Sequence, residues 1–453
     1  MNLDEKLRAF NSAAENMRYP WWYRPSRLLL FASLPAVIIF SYSDPRMTLS
    51  RAQLFFAERD MWVGIFGVIF VALGALIGES RWLANFFDKR PGSGMIPSSA
   101  NQHSRLAAAL LSPRIDWILM AIFLVAHVIF FRNFFLHPGL VSGVLGGNLE
   151  LKHTFKTIPG VTTWTQVSLL LGVLRGLRWS GVLPGKVKLI SVFHLVFFGT
   201  LFVRAVLWSE RLALIEGFVP FFIGALPRLF TTGGPKIRML IRFLPILVPV
   251  LLLFVFTAFE SLRSWQAYSG EHSSVLEFGW RRLYSYYFEA MNTGSATLGL
   301  SGFFDGLTTP MSLKQYNVIY EGLYQGALDK EYNNPSGIWF IATLSGNLLF
   351  APTFMLLGCW HGITWRRFVQ GRFFGLFFPI TFLGLMEIIR IPYWFGLTRV
   401  LPSSLFIVGL IIWAVTVKRR VRPRVSRTVS ACSAPSLPPI SAPVGYPQSW
   451  QSR

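Results

Sequence analysis

The residues of this chain best suited to chemistry are arginines, tyrosines and carboxylates gathered in one long polar stretch. Residues 259–339 are polar enough to leave a bilayer, yet they lie between uninterrupted hydrophobic runs. Within them, WRRLYSYYFEA sets Arg281 and Arg282 beside Tyr284, Tyr286, Tyr287 and Glu289, and the stretch closes on NNPSGIWF with Asn334. Further charges recur near the ends of apolar runs: Arg204, Arg211 and Glu216 in one segment, Glu387 and Arg390 in MEIIRIPYW. Arginine presents a planar fork that matches phosphate oxygens two at a time, and it keeps its proton. An anionic substrate arriving from the membrane, such as a lipid-linked pyrophosphate, would account for the set. Fixed positive charge would stabilise a departing pyrophosphate. Tyrosines could stack on sugar rings and bond their hydroxyls. A carboxylate or histidine would take the proton from an acceptor hydroxyl. Glu289, Glu216, His272 and Glu387 are the candidates for that base, and the sequence does not rank them.

Each cluster also has a plainer reading. Arg204 could snorkel to the interface, and Arg211 could pair with Glu210 or Glu216. Arg281 and Arg282 could sit on an amphipathic helix facing lipid headgroups. NNPSG could be a helix start, with Asn capping and Pro near the first turn. His361, beside a basic helix end, reads as interfacial.

The elements that position these residues are apolar. Of 453 residues, 53% are hydrophobic and 14% charged. Runs long enough to cross about 30 Å of hydrocarbon recur throughout, so the expected fold class is an all-α polytopic membrane protein. Spans are expected near residues 28–43, 62–78, 116–136, 162–175, 189–208, 212–227, 240–258, 338–361, 373–391 and 398–417, ten helices in all. With these spans, one face holds 28 of the 43 Lys/Arg and 6 of the 21 Asp/Glu, while the opposite face holds 15 of each. The whole net charge of +22 thus falls on one side. The positive-inside rule makes that side cytoplasmic, with both termini inside and the 259–339 loop outside. A nucleic-acid partner is not expected.

The start of the chain reads as mixed in charge rather than as a cleavable signal, and Tyr19–Tyr23 reads as an interfacial aromatic anchor. Residues 81–116 combine a Gly/Ser/Pro linker with RLAAALLSPR, a short helix expected along the inner leaflet. The Gly-rich second outer loop leads through IPGVTTWTQ into a short fourth span. It reads as a partly re-entrant wall of a cavity, since irregular backbone at membrane depth must be covered or line a cavity. Residues 1–417 form the membrane domain, and 418–453 a basic, Ser/Pro-rich tail expected to be disordered. The two cysteines, Cys359 and Cys432, supply neither a disulfide framework nor a metal site. No phosphate-binding Gly loop, zinc spacing or nucleophile elbow is present, and no cofactor or metal is expected.

This pattern resembles bacterial oligosaccharide repeat-unit polymerases, the Wzy-type O-antigen or capsule polymerases. The resemblance spans most of residues 28–417. It rests on the short turn with Arg204, Arg211 and Glu216, on IPGVTTWTQ, SERLALIEGFVPFF and RRLYSYYFEA, on NNPSGIWFIATLSGNLLF, and on RIPYWFG. It implies a fold related to C-type membrane glycosyltransferases (GT-C) and a metal-independent, inverting transfer of a growing glycan from undecaprenyl pyrophosphate to a lipid-linked repeat unit. The reaction would occur at the periplasmic face of the inner membrane. By resemblance, Arg281, Arg282, Arg211 and Glu216 would be catalytic. Arg204, Tyr284, Tyr287, Glu289, Asn334, Glu387 and Arg390 would bind substrate. The implied partners are the undecaprenyl-pyrophosphate-linked oligosaccharide, the bilayer and a chain-length co-polymerase.

Three other readings compete. An O-antigen ligase shares much of the pattern, but its large loop typically carries a histidine, and His272 precedes the arginine pair. A GT-C enzyme using a polyprenyl-phosphate sugar would place an acidic base in the first outer loop, where Glu58 and Asp60 lie. A flippase of lipid-linked oligosaccharide would need charges through the midplane, whereas these lie near span ends.

Overall fold

In the computed structural model the described residues are 19–50, 52–80, 112–145, 158, 160–181, 183, 187–207, 211–263, 265, 269–329, 332–370, 373–394 and 399–420. Residues 1–18, the inner-leaflet segment RLAAALL, most of the Gly-rich second outer loop, Glu210 and the tail from 421 onward lie outside them. Every element among the described residues is helical. We label them α1 (Pro25–Ser41), α2 (Glu58–Glu79), α3 (Arg114–Phe130), α4 (Arg132–Leu136), α5 (Gly139–Leu145), α6 (Ser168–Trp179), α7 (Val192–Leu207), α8 (Arg211–Thr232), α9 (Pro235–Arg242), α10 (Leu244–Arg263), α11 (Val275–Leu300), α12 (Leu313–Gly326), α13 (Gly337–Val369), α14 (Phe377–Met386) and α15 (Leu401–Arg420). All ten expected apolar segments fall on helices. Among the described residues four helices are long and apolar enough to cross a membrane: α2, α8, α10 and α13. Shorter apolar helices accompany them, so the architecture is compatible with a membrane protein.

Glycine decides how the longest helices meet. Small residues let helix backbones approach closely where lipid supplies no hydrophobic drive. Gly74 and Gly78 of α2 face the backbone of Met355 and Cys359 in α13, and Gly358 and Gly362 of α13 face Val71 and Ala75 in return. Gly64, near the other end of α2, meets Trp339. Contacts advance together along both helices, so α2 and α13 run parallel. The same holds for α6 and α8, where Gly172 meets Gly217, Gly176 meets Phe221 and Gly224 meets Val173.

Two polar layers cap these pairs at opposite ends. At one end, Trp22 donates its indole N–H to the Ile241 carbonyl (2.7 Å), and the Ser26 hydroxyl donates to Glu79 (2.9 Å). The expected interfacial anchor is therefore a packed plug: Tyr23 is fully buried and donates to the Ile223 carbonyl at 2.8 Å. His361 is likewise fully buried, its ring tilted against Trp394 at 4.8 Å, rather than interfacial. Its neighbours Gly358 and Gly362 draw α2 against this part of α13.

The opposite layer contains α11 and α12. The sequence reads short helices within 259–339, but α11 runs for 26 residues, and most of it from Phe278 onward is buried. Ser274 caps its first turn by accepting the Glu277 amide. Ser336, not an asparagine, caps α13 by accepting the Ile338 amide. Asn334 is exposed two residues earlier. The helix α13 breaks at Gly346, whose φ of 61° suits glycine. Thr308 and Asn347 bridge the break: the Thr308 hydroxyl accepts the Asn347 amide, and the Asn347 side chain accepts the Thr308 amide, both at 3.0 Å.

Candidate functional site

In the second polar layer α11, the end of α10, the start of α13 and the segment after α14 converge. The Gly337 backbone lies against the carbonyls of Ile388 and Ile391, and the Ile338 amide donates to the Ile388 carbonyl at 3.1 Å. NNPSGIWF and RIPYW, far apart in sequence, are thereby pinned together.

A run of alternating cations and rings follows. The Arg282 guanidinium pairs with Glu260 at 3.1 Å, with side-chain exposures of 2% and 0%. It lies 5.4 Å from the Tyr332 ring, which meets Tyr286 edge-on at 5.2 Å. The Arg390 guanidinium sits 5.1 Å over that same Tyr286 ring and bonds Glu387 at 3.3 Å. The Tyr287 hydroxyl completes the run by donating to the other Glu387 oxygen, also at 3.3 Å. Cations over desolvated aromatic faces gain up to about 2 kcal/mol. The arrangement sets the partly exposed Arg390 guanidinium and a tyrosine–carboxylate pair on an aromatic frame that the sealed Arg282–Glu260 pair holds, which is suited to meeting an anion and to shuttling a proton.

A second cluster adjoins it. Glu216, 1% exposed, accepts from Arg399 at 2.7 Å and from the Tyr393 hydroxyl at 3.2 Å. Tyr393 is three residues beyond Arg390, so one short segment serves both clusters. The turn pattern therefore pairs Glu216 with Arg399 across the bundle. Arg204 is buried and donates to Thr165 at 2.8 Å, with its guanidinium 4.9 Å over Phe130. It points between helices rather than snorkelling. Arg211 opens α8, and its side chain lies outside the described residues.

Other expected site residues hold the scaffold. Glu289 accepts from Thr48 (2.9 Å) and from Asn292 (3.1 Å), and Asn292 binds the Gln53 carbonyl and the Phe55 amide. These bonds moor the segment before α2 to α11. Burial raises the Glu289 carboxyl above its usual range, against hydrogen bonds from Thr48 and Asn292 that lower it. The faces of Tyr284 and Tyr287, expected to stack on sugars, are covered by packing. Tyr287 stacks on Phe40 at 5.2 Å and 10°, and Tyr284 stacks on Phe288 while donating to the Asp44 carbonyl. Arg281 makes a half-exposed pair with Glu277 one turn earlier (3.1 Å), and the Ser273 bonds to Glu277 lower that carboxyl. His272 lies outside the run, 5.2 Å from Phe278. Asp60, 2% exposed, caps its own helix by accepting the Ala57 amide at 2.8 Å, and the Ser295 hydroxyl lies beside the carboxylate.

Sequence reading missed Glu260, Tyr332 and Arg399, which the fold brings to these arginines and to Glu216. It also missed a tyrosine ladder on α12. Tyr316, Tyr320 and Tyr324 recur at four-residue spacing and stack at 6.2 and 6.3 Å, a spacing that was itself the signal. Burial pushes the Tyr320 hydroxyl up to about 12. At the other end of the bundle, Asp116 is buried between Arg175 (3.2 Å) and Arg178 (2.7 Å). From sequence, these arginines read only as topogenic charge.

No family model, curated protein or solved structure matches this chain.

Proposed function

We propose that the chain is an inverting membrane glycosyltransferase. It would polymerise undecaprenyl-pyrophosphate-linked oligosaccharide repeat units at the periplasmic face of a bacterial inner membrane, in the manner of Wzy-type polymerases. The observation that supports this reading is the contiguous run Arg282–Tyr332–Tyr286–Arg390–Glu387–Tyr287, where helix ends meet the 259–339 stretch. In this reading Arg390, with the more exposed Arg281, takes the pyrophosphate and stabilises its departing charge, and Arg211 would join them. The Tyr287–Glu387 pair takes the proton from the acceptor hydroxyl. Arg282 and Glu216 act by holding the frame. Ten spans with both ends cytoplasmic belong to this proposal, and the one-sided excess of Lys/Arg supports them.

The test is reconstitution. Purified protein given lipid-linked repeat units should yield a ladder on a gel, and Arg390→Ala should yield none at an unchanged melting midpoint. Wild-type protein that moves the lipid across vesicles without extending it would sink the proposal in favour of a flippase.

One observation favours a second enzyme reading. The buried Asp60 carboxylate, with the Ala57 amide and the Ser295 hydroxyl beside it, is what a base for a polyprenyl-phosphate-sugar GT-C enzyme would offer. Asp60→Asn separates the two, since elongation survives under the polymerase reading and collapses under the other.

A further inference from the structure

The connection between α8 and α10 carries charge of one sign only. Between Glu216 and Glu260 the sequence has four Lys/Arg and no Asp/Glu. Three of the four lie on α9, which stands between two helices long and apolar enough to cross a membrane. Gly233 and Gly234 join it to one and Phe243 to the other, so α9 is held at the depth where those helices end. Its exposed side chains are of two kinds. Ile237, Met239 and Leu240 expose apolar surface, Met239 by 64% and Leu240 by 58%, while Lys236 and Arg242 expose charge. Arg238 is spent on the Gly233 carbonyl at 2.7 Å. Neither the Lys236 nor the Arg242 side chain has a hydrogen bond or ion pair among the described residues. A cation in the last turn of a helix commonly serves the free carbonyls there. Here indoles do so: Trp21 donates to the Arg242 carbonyl at 3.0 Å and Trp22 to the Ile241 carbonyl at 2.7 Å. The Arg242 guanidinium is thereby left for an outside group. The same two bonds tie α9 to the chain just ahead of Arg24 and Arg27, both exposed. Glu79, beside these two arginines, is already engaged, since its oxygens accept the Ser26 amide and hydroxyl at 2.9 Å each. A soluble anion would make no use of the apolar surface, and a zwitterionic lipid would make little use of the cations. An anionic phospholipid uses both.

We infer that α9, together with Arg24 and Arg27, is a binding site for an anionic phospholipid of the adjoining leaflet. Lys236, Arg242, Arg24 and Arg27 hold its phosphate, and Ile237, Met239 and Leu240 lie against its acyl chains. The site stands at the end of the bundle opposite the Arg282–Tyr287 run, and it is independent of the reaction performed there.

The test is native mass spectrometry of the full chain in a neutral detergent, titrated with phosphatidylglycerol or with phosphatidylcholine. Phosphatidylglycerol should bind about tenfold more tightly, and its advantage should shrink as ammonium acetate is raised. This arm needs no variant. Lys236→Gln combined with Arg242→Gln should weaken phosphatidylglycerol about thirtyfold, or ~2 kcal/mol, and leave phosphatidylcholine unchanged. Adding Arg27→Gln should weaken it about fivefold more. These side chains are exposed, so the melting midpoint should hold. A charge-matched pair at the opposite end, Arg46→Gln with Lys314→Gln, should bind phosphatidylglycerol as wild type does. Met239→Gln with Leu240→Gln should weaken both lipids. Equal affinity for the two lipids would overturn the inference, as would wild-type affinity in Lys236→Gln/Arg242→Gln. Equal weakening by the opposite-end pair would mean that net charge alone is read, and would overturn it too. Displacement of phosphatidylglycerol by inorganic phosphate, with no effect of the Met239 and Leu240 changes, would mean a soluble-anion site and discard the lipid.

Discussion

Replacing Arg282 by Ala tests the Arg282–Glu260 pair more sharply than any other single change. The two side chains are essentially sealed from solvent and 3.1 Å apart. Truncating the arginine leaves the Glu260 carboxylate buried without its guanidinium, a loss of about 3–5 kcal/mol in comparable buried pairs. Unfolding entropy of ~2.1 cal/mol/K per residue over this chain is roughly 1 kcal/mol/K, so the melting midpoint should fall by roughly 3–5 °C. Scanning fluorimetry in detergent measures that, and the reconstituted ladder measures function in the same samples. Arg282→Met combined with Glu260→Leu removes both charges and refills the volume, so it should recover most of the midpoint. If the double variant is stable but makes no ladder, Arg282 contributes to the reaction beyond holding Glu260. If the ladder returns with stability, its part is positional. A midpoint for Arg282→Ala within about 1 °C of wild type would refute the buried-pair argument.

Four further outcomes are expected. Tyr287→Phe removes the 3.3 Å bond to Glu387 but keeps the ring on Phe40, so elongation should fall about tenfold. Stability should change by about 1 kcal/mol or less, and an unchanged rate would take Tyr287 out of the proton path. Burial raises the Glu289 carboxyl, so the folded protein holds that proton to higher pH than the unfolded chain does. The associated stabilisation is present below the usual carboxylate range and is lost as pH rises through the raised value. As pH rises above the usual carboxylate range the melting midpoint should therefore fall more steeply in wild type than in Glu289→Gln, and parallel slopes would count against this. Gly358→Val drives a side chain into the α2 backbone at Val71, so it should cost about 3 kcal/mol or more and show as lost monodisperse protein on size exclusion. Asp60→Asn should leave the ladder intact at near-wild-type rate, and its disappearance would transfer the catalytic assignment to α2.

Much of the frame was legible because hydrophobic length is a local property. Each expected apolar segment is a helix, and WRRLYSYYFEA does sit in the polar layer. Pairing was not legible, because it is set by tertiary approach. Glu260 reads as the first polar residue after a span, yet it is the partner that keeps Arg282 buried. Arg175 and Arg178 count as inner-loop charge in sequence, and only the packing of α3 on α6 reveals Asp116 between them. Tyr284 looks like a sugar platform until Phe288 and Phe40 are seen against it. The helix pairing did leave a readable mark, since glycines recur at four-residue spacing at 74 and 78, 172 and 176, and 358 and 362.

Those glycines also constrain which residues can share a face. Because α2 and α13 run parallel, the chain between them must cross the bundle an odd number of times. The same holds for α6 and α8. Asp60 at the start of α2, Ser336 at the start of α13, Thr165 just before α6 and Glu216 near the start of α8 therefore share one end. Glu79, Arg366 and Arg178, near the other ends of those helices, share the opposite one. The direct bonds agree: Trp339 donates to the Asp60 carbonyl at 3.2 Å, and Arg366 donates to the Glu79 carbonyl at 2.9 Å. Adding or removing a single span between α2 and α13 would put Asp60 and Trp339 on opposite sides. The ten-span proposal, with α3, α6, α7, α8 and α10 accounting for five segments between them, needs each segment to reverse the direction of the chain. An accessibility scan would test this directly. Cysteines placed at Asp44 and Lys314 should react with a membrane-impermeant maleimide from the periplasm, and one at Lys236 only after permeabilisation. Labelling of position 236 in intact cells would break the parity argument, and with it the placement of the arginine–tyrosine run outside the membrane.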